Sequence, residues 1–241
     1  MIKSFLTRKF RKKFIDQNLE KDPNYNEPFV YFPIHVDMER PLLIMAPLFT
    51  NQIEIIRQVA KSLPMGLKLY VKETPAAVTR DWRPISTYKE IMSIPNVTLI
   101  HPSVSAEKLM QNSSIVFTIA GTSGFEAAFY GKPSIVFSDV GYMELPSVSR
   151  VSEIEKLESI IKKSIKTKVN HVDLDKFVNY LESNIINFNW FEMESMIKEA
   201  FFFNGYTSDI EITEFQMKLF LEKNVQILNY VGKEYIKKMY K

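Results

Sequence analysis

Apolar and polar residues alternate in blocks between residues 29 and 139 of this 241-residue chain. Short runs rich in β-branched and aromatic residues have the length and composition of buried strands. These runs are residues 29–35, 67–72, 97–101, 115–120 and 134–137. The segments between them favour helices, because apolar residues recur three or four positions apart, most clearly in residues 51–63. This alternation of strands and helices predicts an α/β domain with a doubly wound parallel sheet.

Residues 115–139 contain the clearest strand–turn–helix–strand unit of the chain. An apolar run ends at residue 120, a glycine-rich turn covers residues 121–124, and a short helix is expected from 125 to 130. Gly131 then ends the helix, and the second apolar run follows. Two strands joined by one helix are parallel, so the turn lies at the carboxyl edge of the sheet, where open α/β sheets bind ligands.

The turn combines groups that can bind an anion such as phosphate. Gly121 and Gly124 allow close approach to the backbone, while Thr122 and Ser123 supply hydroxyl groups. The first amide N–H groups of the following helix lack helical partners and attract negative charge. Glu126, one turn later, can accept hydrogen bonds from sugar or ribose hydroxyls. A purely structural interpretation, in which a hydroxyl caps the helix and the carboxylate lies in solvent, stays open on this pattern alone.

Loops that follow the other predicted strands should meet the turn at the same edge of the sheet. These loops are residues 35–40, 73–83, 101–105 and 139–144. Lys72, Arg80 and Arg83 lie in or beside them and are suitable partners for a diphosphate or a carboxylate. The alternative for each of these cations is an ordinary surface charge.

Composition excludes several classes of protein. The chain has no cysteine, its three histidines are far apart in sequence, and its net charge is +3. Disulfides and thiolate catalysis are therefore excluded, no metal site is predicted, and the charge is too small to indicate nucleic-acid binding. No apolar run reaches the roughly 18 residues of a transmembrane helix, and the N-terminus lacks a signal-peptide core. These features predict a cytoplasmic protein.

Segments of different character flank this domain and predict three regions: residues 1–28, 29–150 and 151–241. The first has six cations among its first thirteen residues, interleaved with apolar residues, and ends in a linker. Such a basic amphipathic helix suits either an anionic surface at the inner face of a membrane or packing on another domain. The last region is expected to be helical, with one helix at residues 212–240, and to pack on the central domain or on a partner.

Four motifs in the central region resemble the capsule polysaccharide biosynthesis family. They read LKLYVKETP at residues 67–75, WRPISTYKEI at 82–91, IPNVTLIHPSVS at 94–105 and GTSGFEAAFYGKPSIVF at 121–137. The family includes bacterial Kdo transferases of capsule assembly and is distantly related to UDP-N-acetylglucosamine 2-epimerases and other GT-B enzymes. The resemblance covers about residues 29–150 and is specific in the order and spacing of its motifs.

The resemblance implies a metal-independent GT-B glycosyltransferase, in which residues 29–150 form the Rossmann-like domain that binds a nucleotide sugar. The residues expected to bind this donor are Lys72, Glu73, Thr74, Pro75, Arg83, His101, Gly121, Thr122, Ser123, Gly124 and Glu126. The donor is a substrate rather than a cofactor, and CMP-linked Kdo is one candidate. The resemblance does not identify a catalytic residue.

Two departures from the family pattern matter for function. Family members usually read K-E-H-P after the second strand, whereas this chain has threonine at position 74, which carries no positive charge near neutral pH. About 28 residues precede the first strand, where the family has an acceptor-binding domain. An acceptor domain would then come from a separate polypeptide or from another copy of the chain. The alternatives to a transferase are a non-catalytic or regulatory nucleotide-sugar-binding module and a sugar-nucleotide epimerase.

Overall fold

The computed structural model describes residues 2–37, 41–75, 83–202 and 211–239, with the backbone alone at residues 2–7 and 41. Arg80, which the sequence places at the ligand edge, lies outside these described residues. The chain forms two compact units, Met1–Phe177 and Val178–Lys241. The region boundaries suggested by the sequence, at residues 28 and 150, stay predictions.

A parallel sheet forms the centre of the first unit and contains six strands in the described residues. The strands are β1 Phe29–Pro33, β2 Lys68–Lys72, β3 Val97–Ile100, β4 Val116–Thr118, β5 Ser134–Val136 and β6 Val148–Arg150. Their order in the sheet is β3-β2-β1-β4-β5-β6, and all neighbouring pairs are parallel. This arrangement confirms the predicted doubly wound fold, with the strand order of a Rossmann sheet.

Helices connect the strands and make up the C-terminal part of the described chain. They are α1 Ile2–Asn18, α2 Gln52–Ser62, α3 Ile85–Met92, α4 Ala106–Asn112, α5 Ser123–Phe129, α6 Leu157–Ser164, α7 His171–Asn184, α8 Trp190–Phe201, α9 Glu214–Lys223 and α10 Val225–Met239. Short helical turns of other types occur at Pro41–Met45, Pro47–Phe49 and Ile154–Lys156. None of the helices in the described ranges has both the length and the apolar character that crossing a bilayer requires.

Three elements differ from the prediction. Helix α5 begins at Ser123, inside the predicted turn of residues 121–124, and ends at Phe129. The sequence pattern does not predict β6, because this edge strand has three residues and no apolar run. The single helix predicted at residues 212–240 consists of two helices, α9 and α10, which meet at Asn224. The Asn224 side chain donates a hydrogen bond to the Phe220 carbonyl at 2.8 Å. Asparagine competes in this way for backbone groups and therefore favours helix ends.

Aromatic side chains of the central strands form much of the core of the first unit. The rings of Phe29 and Tyr70 stack with their centroids 4.3 Å apart, and the ring centroids of Phe32 and Phe117 are 6.5 Å apart. None of the four side chains is more than 1 % exposed. Burying a side chain of this size stabilises the folded state by about 1.5–3 kcal/mol. Successive residues of β1 are buried, as expected for a parallel sheet covered on both faces.

Helix α1 belongs to the first unit and packs against it through one face. Ile15 and Leu19 are 2 % and 5 % exposed. The ring of Phe14 stacks on the ring of Tyr88 in α3, with centroids 6.4 Å apart. Glu20, just beyond the helix, forms an isolated parallel bridge with Ile100 at the end of β3. These contacts attach α1 to the edge of the sheet.

We expect Ile15→Ala to lower the free energy of unfolding by about 2–5 kcal/mol, because its nearly buried side chain would leave a cavity. Phe10→Ala is the control on the same helix. Phe10 is 67 % exposed, so its replacement should change the free energy by less than about 0.5 kcal/mol. Urea unfolding followed by circular dichroism measures both variants. Equal losses for the two variants would contradict the packing of α1.

Candidate functional site

A cleft of about 280 Å³ lies at the carboxyl ends of β1, β2 and β4. The strand order reverses between β1 and β4, which is the topological switch point where Rossmann-type sheets bind ligands. The predicted site residues that line the cleft are Lys72, Glu73, Thr74, Pro75, Gly121, Thr122, Ser123 and Glu126. The rest of the lining comes from β1 and its loop and from α4: Tyr31, Pro33, Ile34, His35, Ala106 and Met110. The glycine-rich turn and the loop after β2 therefore meet in one place.

Gly121 stands where the turn after β4 passes closest to the loop after β1. A Cβ atom at this position would lie 2.6 Å from His35 Cε1 and 2.8 Å from Thr118 Oγ1, so any side chain would overlap them. The Gly121 amide donates a hydrogen bond to Thr118 Oγ1 at 3.0 Å, and the Tyr142 hydroxyl donates to the Gly121 carbonyl. Packing therefore requires glycine here, and hydrogen bonds hold the turn on both sides.

Gly124 is buried and does not line the cleft. A Cβ atom at this position would lie 2.6 Å from the hydroxyl oxygen of Tyr142 and 3.2 Å from Thr118 Cγ2. The Tyr142 ring also stacks on Phe125, with centroids 5.8 Å apart, and burial raises the pKa of its hydroxyl. Gly124 thus makes room for the tyrosine that holds the turn.

The hydroxyl groups of the turn have different surroundings. Thr122 Oγ1 donates a hydrogen bond of 2.6 Å to Glu126 Oε1 and caps no backbone N–H group of α5. Ser123 Oγ is shielded from solvent and has no hydrogen-bond partner among the described residues. An unpaired buried hydroxyl costs about 1–3 kcal/mol. Because other atoms of Ser123 line the cleft, a change of its χ1 rotamer would bring Oγ to an oxygen of a bound anion, which would supply the missing partner.

A buried ion pair lies at the end of β2. Glu73 and Arg83 are 0 % and 2 % exposed, and Arg83 Nη1 donates to Glu73 Oε1 at 2.9 Å and to Oε2 at 2.7 Å. Arg83 Nη2 also donates to the His35 carbonyl at 2.8 Å, which joins the ends of β2 and β1. Burial raises the pKa of Glu73, and the positive charge of Arg83 opposes this shift. Arg83 is therefore engaged with protein groups and does not line the cleft.

Lys72 brings a positive charge to the cleft. The residue is 5 % exposed, and its Nζ donates to the Glu73 carbonyl at 3.3 Å. Burial lowers the pKa of Lys72, and the negative charge of Glu73 acts in the opposite direction. A bound phosphate would further favour the protonated amine, because an opposite charge stabilises the charged form. Lys72 is thus a cation suited to an anionic ligand.

His35 lines the cleft but was not among the site residues predicted from the sequence. Gln52 fixes its backbone, since the His35 amide donates to Gln52 Oε1 at 2.8 Å and Gln52 Nε2 donates to the His35 carbonyl at 2.9 Å. The Ile119 amide donates to His35 Nε2 at 3.3 Å, and Thr118 Oγ1 lies 3.0 Å from the same nitrogen. A neutral ring that accepts at Nε2 carries its proton on Nδ1. The sequence does give one indication that His35 belongs to the site, because this residue directly follows the first predicted strand.

His101 lies outside the cleft lining, although the sequence predicted it as a donor-binding residue. Its Nε2 is 3.1 Å from Asp16 Oδ1, and its Nδ1 is 2.6 Å from Ser103 Oγ. These contacts connect α1 to the loop after β3. Within the described ranges, no group of three or more His, Asp or Glu side chains could hold a metal ion.

We expect Arg83→Met to lower the free energy of unfolding by about 3–5 kcal/mol near neutral pH, because it leaves the Glu73 carboxylate buried without its partner. Loss of the arginine should raise the pKa of Glu73 further above its ordinary value. As pH rises, the unfolded chain then loses this proton before the folded protein does. The destabilisation should therefore increase as pH rises above the unfolded-state pKa of about 4.3.

Urea unfolding of Arg83→Met at several pH values from weakly acidic to neutral measures this effect. Glu73→Gln/Arg83→Met is the control, because it removes the titrating group together with its partner. The control should lose the extra pH dependence. If Arg83→Met lowers the free energy of unfolding by the same amount at every pH, the result contradicts the buried ion pair.

A family model described as capsule polysaccharide biosynthesis protein matches residues 2–182. No curated protein sequence matches the chain significantly. Among solved structures, the chain is similar to KpsC of Thermosulfurimonas dismutans, a beta Kdo 2,7 transferase, with 12 % identity and a TM-score of 0.44. This match covers 67 % of the chain and 52 % of KpsC.

The UDP-GlcNAc 2-epimerase of Methanocaldococcus jannaschii, solved with UDP-GlcNAc and UDP, is 15 % identical with a TM-score of 0.41. The match covers 75 % of the chain and 52 % of the epimerase. MnaA of S. aureus, solved with UDP, is 16 % identical with a TM-score of 0.42, covering 74 % of the chain and 52 % of MnaA. The chain thus spans about half the length of these structures. The family match covers most of the chain and confirms the resemblance of its motifs: the chain belongs to the capsule polysaccharide biosynthesis protein family.

Proposed function

We propose that this chain binds the nucleotide sugar of a GT-B-type glycosyltransferase in capsular or surface polysaccharide biosynthesis. The observation that carries the proposal is the unpaired hydroxyl of Ser123, a residue that lines the cleft at the switch point of the sheet. A buried polar group without a partner is rare in a protein and suggests a ligand that supplies one. Membership of the capsule family supports a sugar nucleotide as that ligand.

The donor phosphate would bind between the turn and the end of β2. Ser123 Oγ and the amide N–H groups at the start of α5 would donate hydrogen bonds to its oxygens. Lys72 would contribute a positive charge from the opposite side of the cleft. These groups would offset the charge of a leaving phosphate without a metal ion.

The sugar or ribose would lie beside Glu126. Its Oε1 accepts the hydroxyl of Thr122, and the carboxylate retains acceptor capacity for a sugar hydroxyl. A cleft of about 280 Å³ is at the small end of ligand sites, so part of a nucleotide sugar would extend beyond it.

The transfer reaction requires groups that we do not assign to this cleft. In our proposal an acceptor domain, on a separate polypeptide or on another copy of the chain, covers the exposed part of the donor and supplies the catalytic base. Kdo, carried as CMP-Kdo, is one candidate for the transferred sugar. The acceptor would be a glycan or a lipid.

A second candidate is a nucleotide-sugar-binding module without transferase activity. Two observations favour it: Thr74 stands where the family pattern has histidine, and Arg83 is bound to Glu73 and the His35 carbonyl. The cleft then offers fewer positive charges to a diphosphate. Transfer assays with Thr74→His and an added acceptor domain separate the candidates, because a non-catalytic module would form no product even then.

We expect one of CMP, CDP or UDP to raise the melting temperature of the purified chain in a thermal-shift titration. A ligand that binds only the folded state stabilises it by about 2.7 kcal/mol at a concentration of 100 times its Kd. The base that gives the largest shift identifies the donor class. No shift with any of the three nucleotides would contradict the proposed donor site.

Replacement of Ser123 by alanine should weaken nucleotide binding about tenfold or more, because it removes a hydrogen bond to a charged phosphate. The free energy of unfolding of the empty protein should not fall, since the lost hydroxyl has no partner in the described residues. Ser152→Ala is the matched control, because this exposed serine lies outside the cleft. Isothermal titration calorimetry measures binding, and unchanged affinity in Ser123→Ala would rule out a contact between Ser123 and the phosphate.

A further inference from the structure

Residues 8–13, here called the basic segment, carry the densest positive charge of the chain. Their sequence is RKFRKK, and the chain has no acidic residue before Asp16. The segment lies within α1, where Arg8, Lys9, Lys12 and Lys13 are exposed. Phe10, between the cations, is 67 % exposed. An exposed phenylalanine among cations combines electrostatic and apolar binding groups on one stretch of helix.

The contacts of α1 hold the helix that carries the basic segment in place on the first unit. Phe14 stacks on Tyr88 and Ile15 is buried, so the C-terminal half of the helix is held on the first unit. Arg11 belongs to this packed face, because it is half-buried. The exposed cations and Phe10 are therefore displayed by a helix that is already anchored, and binding through them would not require the fold to change.

The part of α1 that follows the basic segment contacts the carboxyl-end side of the sheet. Asp16 contacts His101, which follows the carboxyl end of β3, and Glu20 pairs with Ile100. Nearer the N-terminus of the helix, the ring of Phe14 stacks on Tyr88. Tyr88 lies close to Glu73 at the end of β2, and burial and the charge of Glu73 both raise the pKa of Tyr88.

We propose that the basic segment docks the first unit on an anionic lipid surface. Lysine and arginine side chains near such a surface each contribute about 1 kcal/mol, which corresponds to about fivefold in the partition coefficient. Phe10 supplies the apolar group that inserts among the lipid headgroups. The backbone of a nucleic-acid duplex would pair with the cations but would give an exposed phenylalanine no apolar environment. The unpaired bases of a single strand would stack on it, and the competition experiment below tests that alternative. This docking does not depend on which ligand the cleft binds.

Co-sedimentation of the full chain with lipid vesicles tests the proposal. The vesicles contain either phosphatidylcholine alone or phosphatidylcholine mixed with phosphatidylglycerol. We expect binding to the anionic vesicles alone, and weaker binding as salt is raised. Lys12→Gln/Lys13→Gln should lower the partition coefficient roughly 25-fold, because each of the two lysines contributes about fivefold. Phe10→Ala should lower it further at high salt, where the apolar contribution dominates.

Lys166→Gln/Lys168→Gln is the matched control, because it removes the same charge from exposed lysines elsewhere in the first unit. This variant should bind the anionic vesicles nearly as well as the unmodified chain. Equal losses in the two double variants, or no binding to the anionic vesicles, would overturn the proposal. Polyuridylate in the same assay is a competitor. If polyuridylate releases the chain from the vesicles at a phosphate concentration well below the concentration of anionic lipid, the basic segment is a site for nucleic acid. That result would also overturn lipid docking.

Discussion

The buried pairing of Glu73 with Arg83 is the interaction on which the geometry of the cleft depends. A carboxylate and a guanidinium removed from water are each costly unless they meet each other and further polar groups. Arg83 satisfies this condition by donating to both carboxylate oxygens and to the carbonyl of His35. Because these partners follow β2 and β1, the need to satisfy one buried charge keeps two strand ends at a defined separation.

A second network fixes the other side of the cleft. Thr118 accepts the amide of Gly121 and lies beside the ring of His35, while Tyr142 holds the Gly121 carbonyl. His35 takes part in both networks, through its carbonyl and through its ring. A cleft whose sides are fixed in this way loses little conformational entropy when a ligand binds. In the proposed donor complex, Lys72 and Ser123 would meet the phosphate without rearrangement of the backbone.

Much of this fold could be predicted because buried parallel strands leave long apolar runs. The five strands predicted from such runs are present, whereas β6 is a short edge strand with a polar sequence. Asn224 interrupts a helical pattern that otherwise continues, and periodicity alone does not reveal a break of this kind. Local pattern thus predicts strands well when they are buried and apolar, since β4 and β5 are as short as β6 but fully buried.

The candidate site was predictable to the extent that strand order brings loops together. What the sequence did not reveal is which polar group pairs with which. Arg83 and His101 are in the expected loops, but their partners Glu73 and Asp16 keep them out of the cleft lining. Gly124 makes room for Tyr142, a residue far along the chain. Such pairings depend on distances in the folded protein, and spacing in the sequence does not determine them.

The unpaired hydroxyl of Ser123 also affects how long the protein would survive in a cell. A nucleotide sugar bound as proposed would remove an energetic penalty that the empty protein carries. Proteases act on the small unfolded population, and a stabilisation of about 1.4 kcal/mol reduces that population tenfold. Degradation would then slow when the donor is plentiful and speed up when it is scarce. The amount of this protein would follow the supply of its own ligand, with no separate regulator.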